Sequence, residues 1–322
     1  MKKPVIAVRK SPLKTFVAVI TLTLAAAGAV ALFSLLPAAL PAEQREAQKL
    51  KVYISVDMEG ICGVVAAEQT TPGNPEYAAA KKWMAEDASA AVDGAFRAGA
   101  SEVVVNDSHG SQRNIDPGDL HPKAVLISGS PKPQSMMQGI DDSYDAVLFV
   151  GYHAGAGTQD GVLDHTISGG VVQSVKVNGM ELPELGLNAA IAGAYGVPVV
   201  FVSGDVAVCK QAKTILGSEV TTAPVKDGIG RYAARLVPFA EARRGIRDRV
   251  TDALRKLGQV KPFKIAAPCR FELQYYISAQ ADMAMYFPGV QRLNARTVAF
   301  QADDYLKGFK MLRGLIAVAP TR

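Results

Sequence analysis

Short apolar runs that stop at carboxylates or histidines set the tightest limit on how this chain folds. Lys51 to Val56, Glu102 to Val105 and Ala146 to Val150 are valine-rich and too short for buried helices, so they read as β-strands. Between the first two lies an alanine-rich helical stretch, Glu76 to Ala98, closed by Gly99. Strands are also expected at Ala124 to Ser128 and Val197 to Val202, with a helix from Gly186 to Tyr195 closed by Gly196. This alternation predicts βαβ crossovers and an α/β fold, a mainly parallel sheet with helices on both faces. Val171 to Val177 runs into Asn178-Gly179, which favours a tight hairpin and an antiparallel excursion.

The strand ends carry the chemistry. Asp57 and Glu59 sit two residues apart at the end of the first run, so in an extended chain their side chains face the same way. Two carboxylates pointed together are costly unless a cation joins them. His109 follows Val103-Val104-Val105-Asn106-Asp107-Ser108, His153 follows Leu148-Phe149-Val150-Gly151-Tyr152, and His165 lies just beyond. Open α/β sheets place ligands at the carboxyl ends of their strands, so these residues read as a metal site. An oxygen and nitrogen set without cysteine suits Zn²⁺, Mn²⁺ or a similar divalent ion. The chain has no phosphate-binding Walker loop, no dinucleotide fingerprint after the first strand and no Gly-x-Ser-x-Gly elbow. Cys62, Cys209 and Cys269 are too few and too scattered for a thiolate site or a disulfide framework. Three isolated thiols are expected, with one disulfide as the alternative.

The formal charge of +5 misleads about partners. Lys2, Lys3, Arg9, Lys10 and Lys14 precede the first acidic residue, Glu43, and without them 30 basic residues face 30 acidic ones. That balance excludes an electrostatic case for nucleic acid. The basic stretch Ala240 to Leu257 is interleaved with Glu241, Asp248 and Asp252 and reads as a solvated helix face. The five early charges are followed by an uncharged apolar run, Thr15 to Pro41, and by the small-residue stretch Pro37 to Ala42. Basic, apolar, then small is the order of an export signal, but the run approaches the ~20 residues that span a bilayer. Residues 1–42 are therefore expected to be a cleaved signal peptide or a retained N-terminal membrane anchor. Either way the body lies outside the cytoplasm, periplasmic or extracellular.

Several separated motifs, in order, carry a family resemblance: Ser55-Val56-Asp57-Met58-Glu59-Gly60, Val105-Asn106-Asp107-Ser108-His109, Leu120-His121-Pro122, Gly151-Tyr152-His153-Ala154, Asp164-His165 and Glu184-Leu185-Gly186-Leu187-Asn188. From Lys51 onward the chain resembles the M55 D-aminopeptidase family. The resemblance implies a two-zinc aminopeptidase acting on short peptides with an N-terminal D-amino acid, assembled as a ring-shaped homo-oligomer. It implies that Asp57, Glu59, His109, His153 and Glu184 are metal ligands, with Asp57 shared between the ions, and that His165 is catalytic. Outside the cytoplasm such peptides would come chiefly from cell walls. Another metal-dependent hydrolase or amidase, or an exported peptide-binding protein without catalysis, is the alternative. The expected organisation is a linker at 43–50, an α/β metal-binding catalytic domain at 51–205 and a smaller C-terminal α+β subdomain at 206–322. The latter would contain the basic helix, β segments at Cys269 to Tyr276 and Thr297 to Gln301, and a final helix from Asp303.

Overall fold

In the computed structural model, which describes residues 49–320, the valine-rich runs form the middle of a seven-stranded sheet. The chain runs β1 (Leu50–Val56), α1 (Ala67–Thr70), α2 (Tyr77–Arg97), β2 (Ala100–Asp107), β3 (Val125–Ile127) and β4 (Ala146–Tyr152). A hairpin of β5 (Val172–Val177) and β6 (Met180–Glu181) follows, then α3 (Glu184–Ala194), β7 (Val199–Asp205), α4 (Val206–Leu216), β8 (Thr221–Gly230) and β9 (Ala233–Leu236). The last part is α5 (Phe239–Arg255), β10 (Cys269–Tyr275), α6 (Ser278–Ala284), β11 (Gln291–Arg292), β12 (Thr297–Ala302) and α7 (Tyr305–Ala317).

The large sheet has the order β3-β2-β1-β4-β7-β8-β9 and is parallel except for the β8–β9 pair. From β1 the chain steps outward through β2 to β3, then returns to lay β4 on the other side of β1. The gap between β1 and β4 is thus the switch point at which open sheets bind ligands. A second, antiparallel sheet has the order β11-β12-β10-β5-β6. Each sheet draws strands from both sides of Asp205, and the described residues cluster as one compact unit.

Alternation along β1 sorts its side chains into two cores. Val52, Ile54 and Val56 face α2 and α5, whose buried Ala80, Met84, Ala88, Ala91, Ile246 and Val250 close that side. Tyr53 points the other way, with Val147 and Phe149 of β4, into a core shared with α3, α4, α7 and the second sheet. Each buried Val or Ile side chain contributes about 1.5–3 kcal/mol. The basic helix α5 keeps its apolar face on α2, while Arg243 pairs with Glu86 and Asp87. Cys62, Cys209 and Cys269 are all buried free thiols. Among the described residues no helix is long and apolar enough to cross a membrane. The expected leader, and all of the expected linker except Lys49 and Leu50, lie outside the described residues; Leu50 opens β1.

Candidate metal centre

Strand register brings three chain segments to one point. Val56 is level with Asp107 of β2 and Val150 of β4. The Asp57 N–H donates to the Val150 carbonyl (2.8 Å), and the Ser108 N–H donates to the Val56 carbonyl (2.8 Å). Asp57 and Glu59 therefore leave β1 beside His109 from β2 and His153 from β4. The approach is too close for side chains at two positions. A Cβ on Gly60 would lie 1.9 Å from the Tyr152 carbonyl oxygen, and one on Gly151, where φ is +70°, 2.3 Å from that of Asp57. Beneath the site the Ser55 hydroxyl bonds those of Ser108 (2.7 Å) and Tyr152 (2.8 Å), and Asn188 Nδ2 donates to Tyr152 (3.0 Å). This buried network ties β1, β2, β4 and α3 together.

Glu184 opens α3 and is buried, whereas its neighbour Glu181 is exposed on β6. One Glu184 oxygen accepts the Ile167 N–H, so the helix start also anchors the loop that carries His165. That loop holds three non-glycine residues at positive φ, Asp160, Leu163 and Ile167, a concentration of backbone strain typical of functional segments. Arg231 of the β8–β9 turn pins it by donating to the side chain and carbonyl of Asp164.

The histidine tautomers follow from their backbone partners. His109 Nε2–H donates to the Thr70 carbonyl (2.9 Å), which leaves Nδ1 facing Glu59 Oε2 at 3.0 Å and Asp57 Oδ1 at 3.3 Å. His153 Nδ1–H donates to the Ala154 carbonyl (3.0 Å), which aims Nε2 at Asp57 Oδ2 (3.5 Å) and Glu184 Oε1 (3.6 Å). His165 Nδ1–H donates to the Leu163 carbonyl (2.9 Å), and its ring stacks on His153 with centroids 4.0 Å apart. In each of the first two cases lone pairs meet lone pairs, an arrangement only a cation or a proton relieves. Asp57 Oδ2 and His153 Nε2 are both buried without a hydrogen-bond partner. Two donors on one zinc ion at about 2.0–2.1 Å stand about 3.3 Å apart in tetrahedral geometry. The separations of 3.0–3.6 Å fit that edge. Nitrogen and oxygen atoms able to hold a metal group as Asp57, Glu59 and His109 and as His153, His165 and Glu184, within 4.8 Å of one another in each group.

Among the protein groups alone, protons are shared unevenly. Burial and the neighbouring Glu59 charge push Asp57 up to about 7. Burial also opposes ionisation of Glu59, but the His109 charge outweighs it and holds Glu59 well below the carboxylate range. Burial lowers His153, yet the Glu184 carboxylate overcomes it and raises the imidazole to about 10. His165 goes the other way, pulled down by burial and by the nearby His153 charge.

All six residues expected to matter, Asp57, Glu59, His109, His153, His165 and Glu184, converge at this point. His121, which shares the motif pattern, stands apart, with Nε2 3.3 Å from Asp93. The sequence reading missed Thr70, whose carbonyl orients His109, and Arg313, which reaches the same cleft from α7. A main-chain acceptor leaves no side-chain signal, and an arginine near the chain end resembles any surface arginine.

A model of the M55 peptidase family, described as D-aminopeptidase, matches residues 50–314. The chain is similar to a D-aminopeptidase of Bacillus subtilis (strain 168), 38% identical over 264 residues that cover 82% of this chain and 95% of that protein. Its fold is similar to the solved structure of the Zn-dependent D-aminopeptidase DppA from Bacillus subtilis, a self-compartmentalizing protease. That match has a TM-score of 0.81 at 37% identity and covers 84% of this chain and 97% of the other. With a family model spanning nearly the whole described body and a relative this similar, the chain belongs to the M55 D-aminopeptidase family.

Proposed function

We propose that this protein is a zinc-dependent aminopeptidase that removes an N-terminal D-amino acid from short peptides through a two-ion centre. In this reading Asp57, Glu59, His109, His153 and Glu184 hold the ions, with Asp57 placing one oxygen toward each group. The observation that carries it is the facing pair of unpartnered buried atoms, Asp57 Oδ2 and His153 Nε2, 3.5 Å apart. Manganese or another divalent ion would satisfy the same oxygen and nitrogen donors. Bound divalent ions supply Lewis-acid polarisation of the scissile carbonyl and activation of water.

The chain's own residues do the rest. Asp57, Glu59 and Glu184 line the cleft, and their three negative charges would offset most of the charge that two divalent ions bring. His165 lines the cleft with Nε2 uncommitted, because Nδ1–H is spent on Leu163. A depressed pKa keeps that nitrogen a proton acceptor at neutral pH, so His165 takes a proton from the attacking water and returns it to the leaving amine. Its stack on His153 and the pinned loop hold the ring in place.

Chirality must come from how the cleft walls seat the first side chain, since small displacements of the scissile carbonyl are expensive in rate. The test is kcat/KM for D-Ala-Gly-Gly against L-Ala-Gly-Gly with zinc supplied. A strong preference for the D-peptide is expected; equal values or an L preference overturn the stereochemical assignment. Assembly into a ring-shaped homo-oligomer is supported by the self-compartmentalizing relative and by the exposed Ile229, Tyr232 and Tyr286. Mass measurement in solution checks it, and a monomer contradicts it. The basic-apolar-small leader supports export, with a mature start near Glu43 or a membrane-held chain. Full-length chain soluble in the cytoplasm contradicts both forms.

A further inference from the structure

The cleft that brings the acidic cluster together has a volume of about 130 Å³, and Arg313 is the one Lys or Arg lining it among the described residues. Arg313 sits on α7, is half-buried, and its side chain makes no hydrogen bond or salt bridge with any described residue. Burial pulls its pKa down, with the Glu184 charge only partly compensating. A desolvated guanidinium without a bound carboxylate is unfavourable for the fold and is suited to a planar anionic ligand. A second group lining the cleft is also unfinished. Gln112 is buried at 4% exposure, lies at positive φ, and its Oε1 has no hydrogen-bond partner.

We propose that Arg313 binds the carboxylate of the residue that follows the scissile bond, so that the enzyme selects free dipeptides. The inference rests on the aminopeptidase reading. With the scissile bond at the centre held by Asp57, Glu59 and Glu184, the free carboxylate of a dipeptide falls within the same cleft. Arg313 is the guanidinium in that cleft suited to receive it, through a two-pronged hydrogen bond. Two residues span at most about 7 Å, so a dipeptide fits a cleft that holds both charges. Gln112 Oε1, on a residue lining the same cleft, is an unused acceptor for an N–H of the same ligand.

The experiment compares D-Ala-D-Ala with its C-terminal amide on the zinc-loaded, full-length protein, for the wild type, Arg313→Met and Arg313→Lys. Wild type should favour the free acid by about tenfold or more, chiefly through KM, as expected for a charge-assisted hydrogen bond. In Arg313→Met the acid-to-amide ratio should fall to near one, and Arg313→Lys should fall between. Calorimetric binding of both peptides to the His165→Ala protein gives a second reading independent of turnover, and should show the same preference. If wild type hydrolyses neither peptide, the aminopeptidase reading fails while an acid preference in binding still supports the carboxylate site. No acid preference in either measurement overturns the proposal, whether or not the variants fold. An equal loss for acid and amide in Arg313→Met also overturns it, since the guanidinium then acts on the reacting carbonyl or on the fold.

Discussion

Two buried polar clusters touch the same loop after β1 and are built in opposite ways. Lys226 is 1% exposed, and its ammonium donates to the carbonyls of Glu59, Ile61 and Val64, one acceptor for each of its three protons. A few residues away, Asp57 Oδ2 and His153 Nε2 are equally buried and stand 3.5 Å apart without a hydrogen-bond partner. The first cluster is complete within the chain and shapes the loop. The second is complete only with a cation or a proton that the chain must take up. Full satisfaction marks a structural charge, and convergent lone pairs mark a site for something the chain does not encode.

That contrast breaks if the two clusters respond alike to removal of their charge. The largest effect is expected for Asp57→Asn, which keeps the shape and removes the charge. Its kcat/KM should fall on the order of 10³-fold, the scale of losing an electrostatic catalyst. The unfolding free energy of the metal-free variant should not fall, because the repulsion with Glu59 is relieved. Denaturant melts beside kinetics decide it; a metal-free variant several kcal/mol less stable would make Asp57 structural.

Lys226→Met should show the reverse emphasis. Three buried carbonyls lose their donor, at about 1–3 kcal/mol each, so on the order of 3 kcal/mol or more of stability should disappear. A urea midpoint unchanged from wild type would remove the distinction between the clusters.

A smaller effect sharpens the comparison through pH. Asp57 is raised from 3.8 to about 7 in the folded protein without metal. A raised carboxyl pKa means that this group's contribution to stability is fully present below 3.8 and is lost as pH rises through about 7. Zinc binding must displace that proton and those that raise His109 and His153, so the zinc-induced rise in Tm should grow between about pH 6 and about pH 8. A rise independent of pH in that window would show that the metal-free cluster holds none of these protons.

Legibility in the sequence followed the strength of local signals. β1, β2, β4 and α2 were readable because valine runs and an alanine-rich stretch with a closing glycine leave few alternatives. The β5–β6 hairpin was readable from Asn178-Gly179, which occupy its turn at positive φ. By contrast β8 holds Pro224, Asp227, Gly228 and Gly230, residues that argue against a strand, and only pairing with β7 and β9 makes it one. α4 starts directly at the end of β7, with Asp205 accepting the Val208 N–H as its cap, so no loop separates the two patterns. In the site, Asp57, Glu59, His109 and His153 were visible as polar ends of apolar runs. Glu184 was not, because beside Glu181 it looks like one more exposed hairpin acid; the family motif alone marked it. Lys226 and Arg313 had no such marker, since burial decides their roles and burial is a property of the folded chain.

The central claim is that the unfinished cluster holds two metal ions, and counting them is its most direct test. Elemental analysis of zinc-replete protein after gel filtration should give two zinc ions per chain. The count should drop in Asp57→Asn and stay at two in His121→Ala, whose imidazole pairs with Asp93 away from the cluster. A wild-type chain that retains no zinc, or an Asp57→Asn variant that keeps both ions, would contradict the account.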